Sequence, residues 1–446
     1  MRALLRAVFA RALRIFFRRI EVEGAARVPA AGPVIFVVNH PNALVDPVLL
    51  LCYSPRPVSF LAKAPLFRMP VVGSLVRLFR SIPVHRAQDG ADNLVHNRET
   101  FESAARLLAA GGTLALFPEG ISHDAPRLAP LKSGAARIAI GTASSTGAPI
   151  SVVPAGLYYT WKNKFRSSAL LAFGEPLAVE PAEGDIAGEP DRDRVHALTE
   201  RISRALETLT LQADALETMD LIRRAERILG TERARSNLAE ELSRRQRFAA
   251  AYRTLSEGDP ARLAAVRERI RRFETRRRQA RLSLEDLTAE ALGARGVAKL
   301  LAENLASLAL LPFAAAGVLL HYPAYRLSGM LARRLVESGE DVLATVKVAS
   351  SMLLFPLTWT LCGAAAWRFA GPAAAAGALV VVPFCGWAAL RASESLETLA
   401  GRARALTFGV FHRPALRRLM AERAALQREM REMREIVESL GSGVRR

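Results

Sequence analysis

His40 and Asp46 stand with five residues between them in Asn39-His40-Pro41-Asn42-Ala43-Leu44-Val45-Asp46. An imidazole titrates near neutral pH, and a carboxylate beside it can orient the ring and stabilise the cation that forms. Such a pair is a base able to take a proton from a hydroxyl. Farther along, Phe117-Pro118-Glu119-Gly120 puts a carboxylate and a glycine on a turn just after an apolar run. Taken alone, His40 and Asp46 could equally cap a turn-prone loop, since His-Pro-Asn favours turns. Taken with the second block, they suggest a site that activates a substrate hydroxyl.

The elements around these residues alternate. Val34–Val38 is a short β-branched run that ends at Asn39-His40, and Thr113–Phe117 is a second apolar strand ending at Glu119-Gly120. Ile150–Pro154 predicts a third strand. Asn97–Ala110 has helical periodicity and closes on Gly111-Gly112, and Ala135–Thr142 predicts another helix. Strands alternating with helices predict an α/β layered domain with a central mixed sheet.

The chain has 446 residues, a net charge of +19, half its residues apolar and 24% charged. That mixture, with a slightly positive mean hydropathy, fits soluble and membrane-embedded regions in one chain. The charge suits an anionic membrane surface or phosphorylated substrates. No nucleic-acid motif accompanies it, so nucleic acid is not expected as a partner. The three cysteines, Cys52, Cys362 and Cys385, have no metal-ligand spacing and cannot build a disulfide framework.

Residues 1–20 interleave Arg2, Arg6, Arg11, Arg14, Arg18 and Arg19 with Leu5, Val8, Phe9, Leu13, Phe16 and Phe17, which predicts a basic amphipathic helix at a membrane interface. A catalytic domain over 21–185 and a charged helical region over 186–300 follow. The basic run Arg269–Arg281 is most simply a solvated face. Residues 301–395 are membrane-like. Leu305–Tyr325, Val348–Trp367 and Phe369–Leu390 lack Asp, Glu, Lys and Arg, each near the length that spans the hydrocarbon. The last two meet at Arg368 and Gly371-Pro372, predicting a helical hairpin over 348–390 with its basic flanks on the cytoplasmic side. Leu305–Tyr325, interrupted by Pro312 and Pro323, is expected to be interfacial or re-entrant. A buried bundle of soluble helices is the competing expectation for this region. Charged helices over 396–446 close the chain.

Four blocks together resemble the PlsC-like glycerolipid acyltransferase superfamily: Asn39–Pro47, Ile82-Pro83-Val84-His85-Arg86, Phe117–Asp124, and Val152-Val153-Pro154-Ala155-Gly156. The likeness covers about residues 20–180. The common pattern has four residues between His and Asp and continues the Glu-Gly block with Thr-Arg-Ser. Here five residues intervene, and Ile121-Ser122-His123-Asp124 leads to Pro130-Leu131-Lys132. In both departures the chain resembles the branch of fungal glycerol-3-phosphate and dihydroxyacetone-phosphate acyltransferases, whose members also carry membrane segments after the catalytic domain.

The resemblance implies acyl transfer from a thioester to an alcohol, with acyl-CoA or acyl carrier protein as co-substrate and no cofactor. His40 would be the general base and Asp46 its orienter. Glu119 and Gly120 would hold the acceptor, and Arg86 its phosphate by a bidentate contact, with Lys132 adding a point charge. Asn39 and Lys63 are further substrate-binding candidates, Lys63 and Arg68 being weaker phosphate ligands. His123 and Asp124 would be structural or would position substrate. Lys162, Lys164 and Arg166 beside Trp161 would face headgroups or the nucleotide of CoA.

Glycerol 3-phosphate is the expected acceptor, lysophosphatidate the runner-up, and the cytoplasmic face of the inner or plasma membrane the expected location. A serine hydrolase is disfavoured because no Gly-x-Ser-x-Gly occurs, and a metal enzyme because no ligand cluster does. The rival from another class is a non-catalytic membrane-binding protein on the same scaffold, which would need none of His40, Asp46, Glu119 and Arg86.

Overall fold

The computed structural model of the protein describes residues 1–70, 72–85, 93–181, 190–230, 237–284, 287, 305, 309–335 and 342–443. Contacts divide the chain into two compact units. The first comprises Met1–Ala215, Asn237–Leu242 and Arg333–Val348; the second comprises Leu216–Ser236, Ser243–Ala332 and Ala349–Arg446.

The first unit opens with helix α1 (Arg2–Phe16), which passes directly into strand β1 (Phe17–Glu23). β2 (Val34–Val38), α2 (Val45–Tyr53), β3 (Ser59–Lys63), α3 (Val72–Leu78) and β4 (Ile82–Val84) follow. α4 (Asn93–Ala109), β5 (Thr113–Leu116), α5 (Gly134–Thr146), β6 (Ile150–Tyr159), β7 (Ser167–Phe173), β8 (Leu177–Val179) and α6 (Arg192–Leu209) complete it. The sheet order is β1-β7-β6-β2-β5-β3-β4, with β8 also on β6. β2 runs parallel to β5 and β6, and β3 parallel to β5 and β4, while β7 and β8 pair antiparallel with β6. The sheet is mixed, as the alternation of elements predicts.

β2 explains why the sheet is covered on both sides. All five of its residues are buried. Val34, Phe36 and Val38 point into a core with Leu13, Phe17, Leu49, Leu50, Leu171 and Phe173. Ile35 and Val37 point into a second core with Leu108, Leu114, Ile138, Ile140 and Ile202. An unbroken apolar run is what a strand buried on both faces requires, because successive side chains alternate between faces. Since β2, β5 and β3 are parallel, the loops after all three leave from one sheet edge, where open α/β sheets bind ligands.

α1 is amphipathic, and its apolar side is partly spent inside the domain. Leu13 and Phe16 are buried, and Arg6 donates to Cys52 O at 2.8 Å and Ser54 O at 3.3 Å at the end of α2. Met1, Leu4 and Val8 remain exposed on it.

The second unit contains α7 (Leu216–Gly230), most of α8 (Leu238–Gly258), all of α9 (Pro260–Gln279) and most of α10 (Leu311–Leu335). It also holds most of the helical stretch α11 (Leu343–Phe411) and α12 (Arg413–Gly443). Among the described residues, four helices occupy 192–279, as the charged helical region predicts. α7, α9 and α12 pack around Ile228, Ile270, Phe273, Leu419 and Met430. The basic run of α9 is paired: Arg271 and Arg272 with Glu268, Arg277 with Glu274, Arg276 with Glu422.

Among the described residues, α11 is long and apolar enough to cross a membrane. It breaks at Gly371, whose φ of 83° and ψ of −179° suit a residue without Cβ. Gly363 faces Leu379 across that break, with a Cβ there standing 3.2 Å from Leu379 Cδ2, so the two arms fold back as a hairpin. α10 packs on both arms. His321 accepts from Trp359 Nε1 at 2.9 Å, Ser328 bonds Ser350 at 2.8 Å, and Gly317 lies against the Cys385 carbonyl. Residues 311–325 of the expected interfacial or re-entrant segment are the first part of a 25-residue helix joined to the hairpin through small and polar side chains.

Candidate active site

His40 leaves the end of β2, and Asp46 sits in the first turn of α2. The His40 Nδ1 to Asp46 Oδ2 distance is 2.9 Å. Asp46 is fully buried, whereas the His40 side chain keeps 18% of its surface exposed. Two further donors complete the carboxylate: Asn42 N–H reaches Oδ2 at 2.6 Å, and the Tyr159 hydroxyl reaches Oδ1 at 2.6 Å. A buried carboxylate acceptor engages Nδ1–H, so the proton-accepting nitrogen is Nε2. Phe117 stacks on the imidazole with ring centroids 4.0 Å apart, fixing its plane.

The Glu119 carboxylate is occupied by donors of the protein itself. Oε1 accepts from His40 N–H at 2.8 Å, and Oε2 accepts from Ala129 N–H at 2.7 Å and from His123 Nε2. The side chain is 1% exposed. Burial alone would raise its pKa, but the hydrogen bonds from His123, Ala129 N–H and His40 N–H together hold the carboxyl below the usual range. Glu119 therefore ties the His40 loop to the loop after β5. Ala125 N–H donates to His123 Nδ1 at 3.1 Å, which leaves Nε2 as the protonated nitrogen facing Glu119.

Lys162 Nζ extends this lacing, donating to His123 O and Asp124 Oδ1, each at 3.1 Å. Its ammonium is engaged inside the site's own loops.

Gly120 and Lys132 come together. Gly120 has φ 71°, and a Cβ there would stand 2.7 Å from Lys132 Nζ, so the lysine lies over the glycine with its side chain exposed. Lys63 ends β3 and is exposed at the same sheet edge. Arg68 is exposed in the turn that follows. Asn39 is engaged by the backbone of β6. Its amide donates to Leu157 O at 3.0 Å and accepts from Leu157 N at 2.6 Å, so it pins the β2 end to β6. Arg86 lies outside the described residues.

Sequence reasoning missed Tyr159. The signal is present in Tyr158-Tyr159 at the C-terminal end of an apolar strand, a position that delivers a phenol to the functional edge. It was hidden because the strand was read as ending at Pro154, whereas β6 continues to Tyr159.

A base oriented by a buried carboxylate, with a lysine at the rim, fits activation of an alcohol for acyl transfer. Residues 19–158 match the family model Acyltransferase, and residues 221–442 match Glycerol-3-phosphate acyltransferase 2 C-terminal domain. Lyso-ornithine lipid O-acyltransferase of Rhizobium meliloti is 31% identical over 251 residues, 54% of this chain and 75% of that protein. The chain belongs to the acyltransferase family. It is also similar to two proteins of Saccharomyces cerevisiae. Glycerol-3-phosphate O-acyltransferase 2 is 38% identical over 30% of this chain and 18% of its own length. Glycerol-3-phosphate O-acyltransferase 1 is 28% identical over 49% of this chain and 40% of its own length. The chain spans less than half the length of these yeast relatives.

Proposed function

We propose that this chain moves a fatty acyl group from acyl-CoA or acyl carrier protein to a hydroxyl of glycerol 3-phosphate or a related acceptor, at a membrane. The observation that carries the reading is the His40–Asp46 pair at 2.9 Å, with one ring nitrogen held and the other left as the base. The match of residues 221–442 to a glycerol-3-phosphate acyltransferase C-terminal domain supports this acceptor class.

In the proposed step, His40 Nε2 takes the proton of the acceptor hydroxyl as its oxygen attacks the thioester carbonyl carbon. The tetrahedral intermediate collapses with cleavage of the C–S bond. The leaving thiolate takes the proton back from His40, so no acyl-enzyme forms and no cofactor is needed. Asp46 holds the ring and stabilises the imidazolium. Lys132, with Arg86 and Lys63, supplies positive charge to the acceptor's phosphate.

The α11 hairpin would anchor the protein, and the exposed Met1, Leu4 and Val8 of α1 beside its arginines would rest in the interface of the cytoplasmic leaflet.

The test is acyl transfer by purified protein in detergent. Glycerol 3-phosphate, dihydroxyacetone phosphate and 1-acylglycerol 3-phosphate are offered separately, with His40→Ala as control. Transfer to glycerol 3-phosphate that vanishes in the control is the expected result. Transfer to none of them from either donor would overturn the reading.

A further inference from the structure

The loop between His40 and Asp46 is one residue longer than the common spacing, and its geometry carries a cost. Ala43 has φ 34°, a left-handed value unfavourable for a residue with a Cβ. The turn closes through Val45 N–H to Asn42 O at 3.0 Å and through Asn42 N–H to Asp46. Leu44, which caps α2, has no side-chain cap from its own helix. Its N–H is instead taken by Thr345 Oγ1 at 3.1 Å, 301 residues later in the chain.

Thr345 lies in the first turn of α11, in the short stretch that belongs to the catalytic unit. The placement is not a grazing contact. Ala344 is fully buried in the core that contains Phe36, Leu49 and Val153, and Val348 packs against the same core. Lys347 Nζ donates to Asn163 O at 2.9 Å. One residue earlier, Lys162 O accepts from Asn42 Nδ2 at 3.4 Å. The stretch 344–348 thus grips both the loop that carries His40 and the loop after β6 that braces it.

We propose that Thr345 is a positioning residue for His40: the first turn of α11, which belongs to the catalytic unit, completes the lengthened His–Asp loop through Leu44 N–H. The acceptor for this donor comes from 301 residues later in the chain. This strap, inside the catalytic unit, sets the geometry of the base. The inference rests on the acyltransferase reading only for its kinetic part.

The test uses the full chain in detergent and three proteins: wild type, Thr345→Val, which keeps the shape without the acceptor oxygen, and Thr345→Ser, which restores that oxygen. Amide exchange is followed at Leu44 and Asn42, and kcat and KM are measured for both substrates. Thr345→Val should exchange faster at Leu44 and at Asn42. Its kcat should fall about fivefold to tenfold, the scale of one lost hydrogen bond, with both KM values held within about twofold. Thr345→Ser should recover both readouts.

Wild-type kcat in Thr345→Val, or a loss of kcat without a change in exchange at Leu44, would overturn the proposal. If wild type transfers to no acceptor, the functional reading falls. The strap then stands or falls on exchange alone, unchanged Leu44 and Asn42 in Thr345→Val being the result that removes it.

Discussion

The phenol of Tyr159, the last residue of β6, donates to Oδ1 of Asp46 in the first turn of α2 across 2.6 Å. Burial, reinforced by the charge of Asp46 and by this hydrogen bond, pushes the Tyr159 hydroxyl well above its usual pKa, so it stays a donor. With Asn42 N–H and His40 on the other oxygen, the carboxylate is saturated inside a fully buried position.

Tyr159→Phe should therefore strip one buried carboxylate oxygen of its donor. The expected cost is about 1–3 kcal/mol of stability, read as a lower thermal midpoint. The turnover number should fall while KM for both substrates holds, because Asp46 reaches the substrate only through His40. An unchanged midpoint would show that Asp46 does not depend on the phenol.

Asp46→Asn leaves the shape and removes the charge that orients the imidazole. The His40 ring then loses its fixed tautomer, and kcat should drop by about 10³-fold or more. Steady-state kinetics against His40→Ala decide the matter. An Asp46→Asn variant within about tenfold of wild type would mean that the ring is oriented by other contacts, with the Phe117 stack the remaining one.

Glu119 carries a pH signature. Its folded pKa lies below the unfolded value of about 4.3, so its contribution to stability is present above that value and lost as pH falls through the folded one. Glu119→Gln should be less stable than wild type at pH 7, since an amide nitrogen would then face a backbone N–H or His123. The gap should narrow below about pH 4. Thermal midpoints of both proteins across pH 3.5–7 test this, and a constant gap would mean that Glu119 is not the titrating group.

How much of the site was readable in sequence follows from where each contact comes from. His40, Asp46, Glu119, Gly120 and Lys132 lie in contiguous blocks whose residue types declare their chemistry. β2 was legible because Val34–Val38 is an unbroken apolar run. The partners of Glu119 were not legible, since they include the backbone N–H groups of His40 and Ala129, and backbone donors look alike in any sequence. The contact of the Asn39 amide with the Leu157 backbone was hidden for the same reason. Tyr159 and Thr345 stand 113 and 301 residues from the groups they serve, and nothing local marks them. The reach of α1 into the domain was hidden as well, because Arg6 binds carbonyls at the end of α2 while reading as one more interfacial arginine.

If the hairpin over 348–390 is membrane-integral, washing membranes at alkaline pH should leave the protein in the pellet. The motivation is the pair of apolar arms on either side of Gly371, with Leu353, Leu361, Trp367, Phe369 and Val380 exposed along them. Side chains of this size facing outward need lipid or another protein to cover them. Complete release into the supernatant would leave only peripheral attachment through α1.

Lys132→Met separates charge from packing at the rim. The methionine keeps most of the stem that lies over Gly120 and removes the ammonium. If Lys132 meets the acceptor's phosphate, KM for glycerol 3-phosphate should rise about tenfold, the scale of one charge-assisted contact, and KM for the acyl thioester should not move. Gly120→Ala probes the same place from below. Its φ of 71° costs an alanine about 1–2 kcal/mol, and the new Cβ, 2.7 Å from Lys132 Nζ, must push that ammonium aside. The two variants should shift the acceptor KM in the same direction, and the double variant should shift it by less than the sum in free energy, since both act on one ammonium. Additive effects would place the glycine and the lysine in separate tasks, and an acceptor KM unchanged in Lys132→Met would remove the lysine from phosphate binding.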